Sequence, residues 1–252
     1  MQSFVIQFGS FTSEGDHALI RSLIFSSNGL ETNSRALDVI SNNLANASSA
    51  GFKKSIVFSQ TLKNAKEKPD QDAMPNELVD FTQGKLIESG NPMSVALVGE
   101  GFFTIQKDGE LYYTRQGNFS RNEEGYYVTG NGDYVMGQGG PVLLDKEFTI
   151  QDDGAIVMDG NIIDYLEVVK FNNPMQLRRV GNGYFKAAEN AITERISDQV
   201  QVKAGYLEDS NVNTLEEMVN MIEVYRQFEA NQKVVRTQDE TLEKAVNDVG
   251  RT

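Results

Sequence analysis

The chain contains no cysteine, which excludes disulfides, thiolate nucleophiles and cysteine-based zinc sites. Its single histidine, His17, sits at a predicted helix start, with no serine or carboxylate motif around it that suggests a triad. No apolar run approaches the ~18 residues that span a bilayer, so membrane insertion is not expected. Met1-Gln2-Ser3-Phe4-Val5-Ile6 lacks the positive flank and sustained apolar core of a secretory signal. Basic charge is also scarce: 23 Lys and Arg face 36 Asp and Glu, for a formal net charge of −13. A basic groove for nucleic acid is therefore not expected, because phosphate neutralisation needs clustered cations. The acidity is uneven. Up to Phe58, Arg21, Arg35, Lys53 and Lys54 balance Glu14, Asp16, Glu31 and Asp38, whereas the excess negative charge lies in the middle and the C-terminal helix.

What is present is periodicity at both ends. Leu23, Leu30, Leu37 and Leu44 recur every seventh residue, as do Met221, Phe228, Val235, Leu242 and Val249. An apolar residue at each seventh position stays on one side of a helix and seeks a partner helix. Ile40 extends the first face, while Ser26, Asn33 and Ser41 interrupt it with polar groups, which lower stability but set register. The first helix is predicted to begin near Asp16 and to end near Asn46, before Ser48-Ser49-Ala50-Gly51. The second is predicted to follow Asn213 or Thr214 as N-cap, with Glu216 and Glu217 facing the positive end of its dipole. Its apolar face is read as Leu215, Met218, Val219, Ile222 and Tyr225, shading into Phe228, Val235 and Leu242.

Between the helices the period changes. Val95–Val98, Phe102–Ile105 and Leu111–Thr114 are rich in strand-favouring residues, and glycine turns separate such runs at Lys107-Asp108-Gly109-Glu110, Gly130-Asn131-Gly132, Gly137 to Gly140, Asp153-Gly154 and Asp159-Gly160. The spacing predicts antiparallel sheet. The fold class expected is α+β: terminal helices pairing as a coiled-coil-like module, with a central antiparallel all-β domain. The divisions expected are a flexible lead over 1–16, a helix and extended connection over 17–77, the β-rich domain over 78–206 and the C-terminal helix over 207–252.

The glycine turns lack the Lys-Ser/Thr and following helix of a phosphate loop. Asp152-Asp153-Gly154 and Asp159-Gly160-Asn161 lack the ligand spacing of a calcium loop. No catalytic, metal or cofactor residue is assigned, and no small-molecule substrate is expected. Phe102, Phe103, Tyr112, Tyr113, Tyr126 and Tyr127 are read as sheet core and cross-strand pairs.

Three segments carry a resemblance. The first runs from Leu37 through Ser41-Asn42-Asn43-Leu44-Ala45-Asn46 to Gly51-Phe52-Lys53. The second joins Asp80-Phe81-Thr82-Gln83-Gly84 and Gly90-Asn91-Pro92 to Val95-Ala96-Leu97-Val98-Gly99-Glu100-Gly101-Phe102-Phe103. The third joins Gly205-Tyr206-Leu207-Glu208-Asp209-Ser210-Asn211-Val212-Asn213 to Glu217-Met218-Val219-Asn220-Met221-Ile222 and Arg226-Gln227-Phe228-Glu229-Ala230-Asn231. Together, and in this order, they resemble the rod and hook family of the bacterial flagellum. Overall length and the short passage between Phe58 and Asp80 are most similar to the proximal rod subunit; the distal subunit typically carries an additional stretch there. Family members usually start near the residues matching Ile20-Arg21-Ser22-Leu23, so residues 1–16 are either an extension or an upstream start.

The resemblance implies a structural subunit of the basal-body rod, exported unfolded through the flagellar type III apparatus. It would polymerise with its own copies and other rod proteins, helices innermost and β-domain outside, and transmit torque across the periplasm. The residues it nominates for the assembly interface are Leu23, Leu30, Leu37, Ile40, Asn42, Asn43, Leu44, Asn46, Gly51, Phe52, Asn211, Val212, Asn213, Met218, Met221, Ile222, Tyr225, Phe228, Val235 and Leu242. From the residues alone, Asn42, Asn43 and Asn46 read first as a helix stop, and Ser210-Asn211-Val212-Asn213 most simply as a cap; the resemblance favours the interface reading instead. A β-domain adhesin or glycan-binding module with helical stalks is the reading from another class; a calcium-dependent hydrolase is a more remote one.

Overall fold

Helix α1 spans Ser13–Ala45 and α2 spans Thr214–Val249. Neither contains proline, so each runs unbroken for about 50 Å at 1.5 Å per residue. This computed structural model describes residues 13–58, 76–188, 193–195 and 201–249. Helix α1 starts at Ser13, inside the stretch read as a flexible lead.

The two helices pair antiparallel. Asn43 reaches Glu217 at the sheet end of the pair. Two heptads further out, a Cβ on Gly29 would stand 2.9 Å from Nδ2 of Asn231. In α1 the inward residues are Ser26, Leu30, Asn33, Leu37, Ile40 and Leu44; in α2 they are Glu217, Met221, Val224, Phe228, Asn231, Val235 and Gln238. Ser26 and Asn33 are therefore part of the seam, whereas Ser41 is exposed. The larger departure is on α2. Leu215, Met218, Val219, Ile222 and Tyr225, read from sequence as its packing face, are all about half exposed or more. The helix has two apolar stripes, and α1 covers the one that continues to Phe228 and Val235. The physical reason is that α1 is one helix wide and fills one groove only.

The α+β organisation expected from the sequence is observed, and all registered strand pairs are antiparallel. The main sheet runs in the order Leu177–Gly181, Tyr184–Ala187, Glu110–Thr114, Phe102–Lys107, Tyr134–Gly137, Tyr127–Val128 and Ser120–Arg121. A three-stranded sheet, Phe148–Ile150, Ala155–Met158 and Asn161–Tyr165, lies beside it. Alternation along Phe102–Lys107 divides the interior into two cores. Phe103 joins Phe119, Tyr127, Val135 and Leu166 on one face, and Phe102 joins Phe171, Leu177 and Phe185 on the other. The predicted Asp-Gly turns are present: Asp108 and Gly109 have φ of 51° and 80°, and Asp159 and Gly160 have the same values. This is the left-handed pair that a two-residue hairpin requires.

The sheet region closes where it opens. Gln201–Ala204 pairs with Val95–Val98, and Tyr206–Glu208 with Leu86–Glu88. Ser55–Phe58, which follows α1, pairs with Asn76–Val79. The exit of α1 and the entry to α2 are thereby brought together at one end of the sheet.

Candidate functional site

The place where both helices meet the sheet is held by polar side chains. Asn43, fully buried in the last turn of α1, uses its whole amide. Its Oδ1 accepts from the Ser55 N–H at 2.9 Å, and its Nδ2 donates to the Ser55 carbonyl at 2.8 Å and to Glu217 Oε2 at 3.1 Å. This imitates one rung of a β-ladder and satisfies backbone groups that have no strand beside them. Asn211 does the same on the other side: Oδ1 accepts from Lys54 N–H at 2.7 Å, and Nδ2 donates to the carbonyls of Asp80 at 2.9 Å and Thr82 at 3.2 Å. Asn213 is the N-cap of α2, accepting from the N–H groups of Leu215 and Glu216 at 3.2 and 3.4 Å. Asn46 closes α1, its Nδ2 donating to the Asn42 carbonyl at 2.8 Å.

Beneath these caps lies a buried ionic cluster. Glu208 receives Lys53 Nζ at 2.5 Å, Arg115 Nε at 3.1 Å and the Gly84 N–H at 2.9 Å. Lys53 also donates to the Thr82 carbonyl at 2.7 Å, and Arg115 to the carbonyls of Gly101 and Gly99 at 2.8 and 2.6 Å. Lys53 and Glu208 are each 1% exposed and Arg115 3%. Removal from water pulls the Lys53 ammonium below its usual pKa, and the adjacent Glu208 carboxylate only partly restores it. Arg115 is lowered by the same desolvation, again opposed by Glu208. A second pair, Lys54 Nζ to Glu217 Oε1 at 2.7 Å, ties the α1 exit to the first turn of α2. Partial burial lowers Lys54, but its hydrogen bond and charge pairing with Glu217 outweigh that and raise its pKa.

Gly51 makes the turn into this cluster possible. Its φ is +68°, its N–H donates to the Glu208 carbonyl at 2.7 Å, and a Cβ would lie 2.5 Å from the Arg115 backbone. Phe52 is buried against the Arg179 guanidinium, 4.5 Å from its ring centre. Arg179 also donates to the Lys53 carbonyl.

The nominated interface residues thus fall into distinct places. Ile40, Asn43 and Phe52 are buried and engaged within the chain, and Asn46, Asn211 and Val212 are half-buried at the junction. Leu30, Leu37, Leu44, Met221, Phe228 and Val235 line the helix seam, with Leu242 at its far end 38% exposed. Asn42, Asn213, Met218, Ile222 and Tyr225 are exposed. The Leu23 side chain lies outside the described residues. Lys53, Lys54, Arg115, Arg179, Glu208 and Glu217 were not nominated. Lys53, Glu208 and Glu217 stand inside the quoted motifs, yet a solvated charge and a buried one look alike in sequence, and the partner of Lys53 is 155 positions away. Among the described residues no three His, Cys, Asp or Glu gather as a metal site, and no helix is long and apolar enough to cross a membrane.

Three family descriptions match along the chain. Residues 23–53 match "Flagella basal body rod protein", 96–162 "Flagellar hook protein FlgE/F/G D1 domain" and 203–248 "Flagellar basal body rod FlgEFG protein C-terminal". The chain is 31% identical over 256 residues to the flagellar basal-body rod protein FlgG of Buchnera aphidicola subsp. Acyrthosiphon pisum, covering 90% of this chain and 98% of that one. The chain belongs to the flagellar basal-body rod proteins. It is also similar to the FlgG of Bacillus subtilis, at 30% identity over 91% of this chain and 99% of that one. With the FlgF of Caulobacter vibrioides it shares 29% identity over 86% and 93%. As a rod protein of the FlgF/FlgG type it is a structural component of the basal body, not an enzyme. The first and third matches end and begin at the junction: the buried Asn43, Gly51, Phe52 and Lys53 lie in one, and Glu208, Asn211 and Glu217 in the other.

Proposed function

We propose that this rod protein polymerises axially through its paired helices, with the β-domain outside, and transmits torque across the periplasm. The observation that carries the reading is the uncovered stripe on α2. Leu215 is 71% exposed, and Met218, Val219, Ile222 and Tyr225 are 49–56% exposed, on a helix whose other stripe is already filled. A continuous apolar face of this kind seeks a protein surface. In an axial subunit that surface is another copy or another rod protein. Contacts between unlike faces of repeated subunits generate a tube when the rotation does not close. The buried junction has a separate role: it holds the helix pair at a set angle to the sheet, so torque on the helices reaches the β-domain without slack.

Delivery unfolded through the flagellar type III apparatus belongs to the same proposal. It is supported by a fold without disulfides to form and by long helices that complete their burial on assembly. The station proposed is the proximal one, on the length of the passage between Phe58 and Asp80. The distal station is the second reading, favoured by the 98–99% coverage of the FlgG relatives. Locating the subunit in a map of the assembled rod separates the two: density at the inner end supports the proximal reading, density next to the hook the distal.

The polymerisation reading is tested by Ile222→Asp. Exposed substitutions change monomer stability by about 0.5 kcal/mol or less, so the purified variant should melt as wild type does. Cells carrying it should lack complete rods and be non-motile. Normal rods and motility in that strain would refute the α2 stripe as the assembly surface.

A further inference from the structure

A cavity of about 420 Å³ opens beside the junction, between the end of α1, the Gln116 to Asn118 segment and the Gly181-Asn182-Gly183 hairpin. Its size is within the ~300–1,000 Å³ of ordinary ligand sites, but its lining is unusual. The side-chain amides of Asn42, Gln116, Asn118 and Asn182 face it with no hydrogen-bond partner among the described residues, and no carboxylate lines it. Among the described residues, Arg179 contributes the one charge to the lining. Its guanidinium is clamped between Phe52 and Phe185, 4.5 and 5.5 Å from their ring centres, and Nε is buried without a hydrogen-bond partner. Of the described carboxylates, Glu77 acts on Arg179 through its charge, from outside the cavity.

These groups select a chemistry. Free primary amides both donate and accept, which suits a peptide backbone. The same chain already uses Asn43 and Asn211 in that way on Ser55, Lys54 and Asp80. One guanidinium without lysines suits a single carboxylate. A dianionic phosphate would carry more charge than this single guanidinium can match. A saccharide would find no exposed aromatic ring, since Phe52 is buried under Arg179. A net charge of −13 makes carboxylates abundant on every other copy of the chain, while the described residues lining this cavity include none.

We infer that the cavity receives an extended, carboxylate-bearing peptide segment of a second copy of this chain. The inference rests on the polymerisation reading and adds to it a polar contact separate from the apolar stripe of α2.

The test on the monomer titrates the full-length protein with acetyl-Ala-Glu-Ala-amide, acetyl-Ala-Gln-Ala-amide and N-acetylglucosamine. The readout is the NMR signals of the Arg179 Nε–H and the Asn118 and Asn182 amides. Saturable shifts with the Glu peptide are expected, at least fivefold weaker with the Gln peptide, absent with the sugar, and abolished by Asn118→Asp combined with Asn182→Asp. Equal response to both peptides, no saturation, or preference for the sugar would overturn the inference. In assembled rods, a photo-cross-linking residue at Asn182 should join two copies. If a probe at Ile222 joins copies while the probe at Asn182 does not, or joins a different protein, the cavity inference fails and polymerisation stands. If neither joins copies, both fail.

Discussion

Glu208 shows how much a single buried side chain can organise here. It pairs with two cations that would otherwise be stranded in the interior, and its backbone carbonyl receives the Gly51 N–H that turns the chain out of α1. Removing one partner of such a cluster leaves an uncompensated buried charge, at a cost of about 3–5 kcal/mol. Glu208→Gln should therefore lower the unfolding free energy of the full-length protein, obtained from urea denaturation, by that amount, far more than an exposed change such as Glu124→Gln. Lys54 gives a pH signature. Its folded pKa is raised by Glu217, so its contribution is fully present below 10.5 and is lost as pH rises through the folded value. Buried Tyr127, whose own pKa is raised by desolvation, also makes wild-type stability fall above pH 10. The informative quantity is thus the difference between Lys54→Met and wild type. That difference should be a deficit at pH 8 and shrink by pH 11.5, measured by chemical denaturation at both.

At the scale of elements, the helix pair is decided by small and polar residues as much as by leucines. Gly29 lets the helices approach at Asn231, where an added Cβ meets only the movable end of an amide at 2.9 Å. Gly29→Ala should thus be tolerated, with a helix-propensity gain of up to about 1 kcal/mol. Gly29→Leu should force the pair apart and lower the melting of the helical signal by circular dichroism. The heptads of α1 were legible because seven-residue spacing is a property of one helix. Which stripe of α2 faces α1 was not legible. Two apolar stripes on one helix have equal standing until the angle at which Asn213 starts the helix and the Glu217 contact to Asn43 choose between them. The Asp-Gly hairpins were legible for the opposite reason: left-handed φ at Asp108-Gly109 and Asp159-Gly160 is a local requirement.

For the whole molecule, the proposed polymerisation makes the junction the boundary between what is buried within one chain and what would complete its burial on assembly. The protected core is proposed to be residues 78–206 extended by the residues around Asn43, Lys53, Glu208 and Glu217, because these are buried without any neighbour. Limited proteolysis of dilute monomer should cut first in the distal halves of α1 and α2, far from the sheet, and leave the junction intact. Survival of both full helices would count against completion of their burial on assembly. Leu37→Asp provides a further contrast. Leu37 lies in the seam between α1 and α2, so this change should lower monomer stability and assembly together, whereas Ile222→Asp should affect assembly alone.

The family, the α+β class, the terminal helices and the hairpin turns were determined by sequence alone, since each depends on periodicity, a local φ requirement or a motif read along the chain. The roles of Asn43, Lys53, Glu208, Asn211 and Arg179 were decided only by tertiary structure. Burial and charge pairing depend on what folding brings alongside from more than a hundred positions away, and no pattern of neighbours along the chain records it.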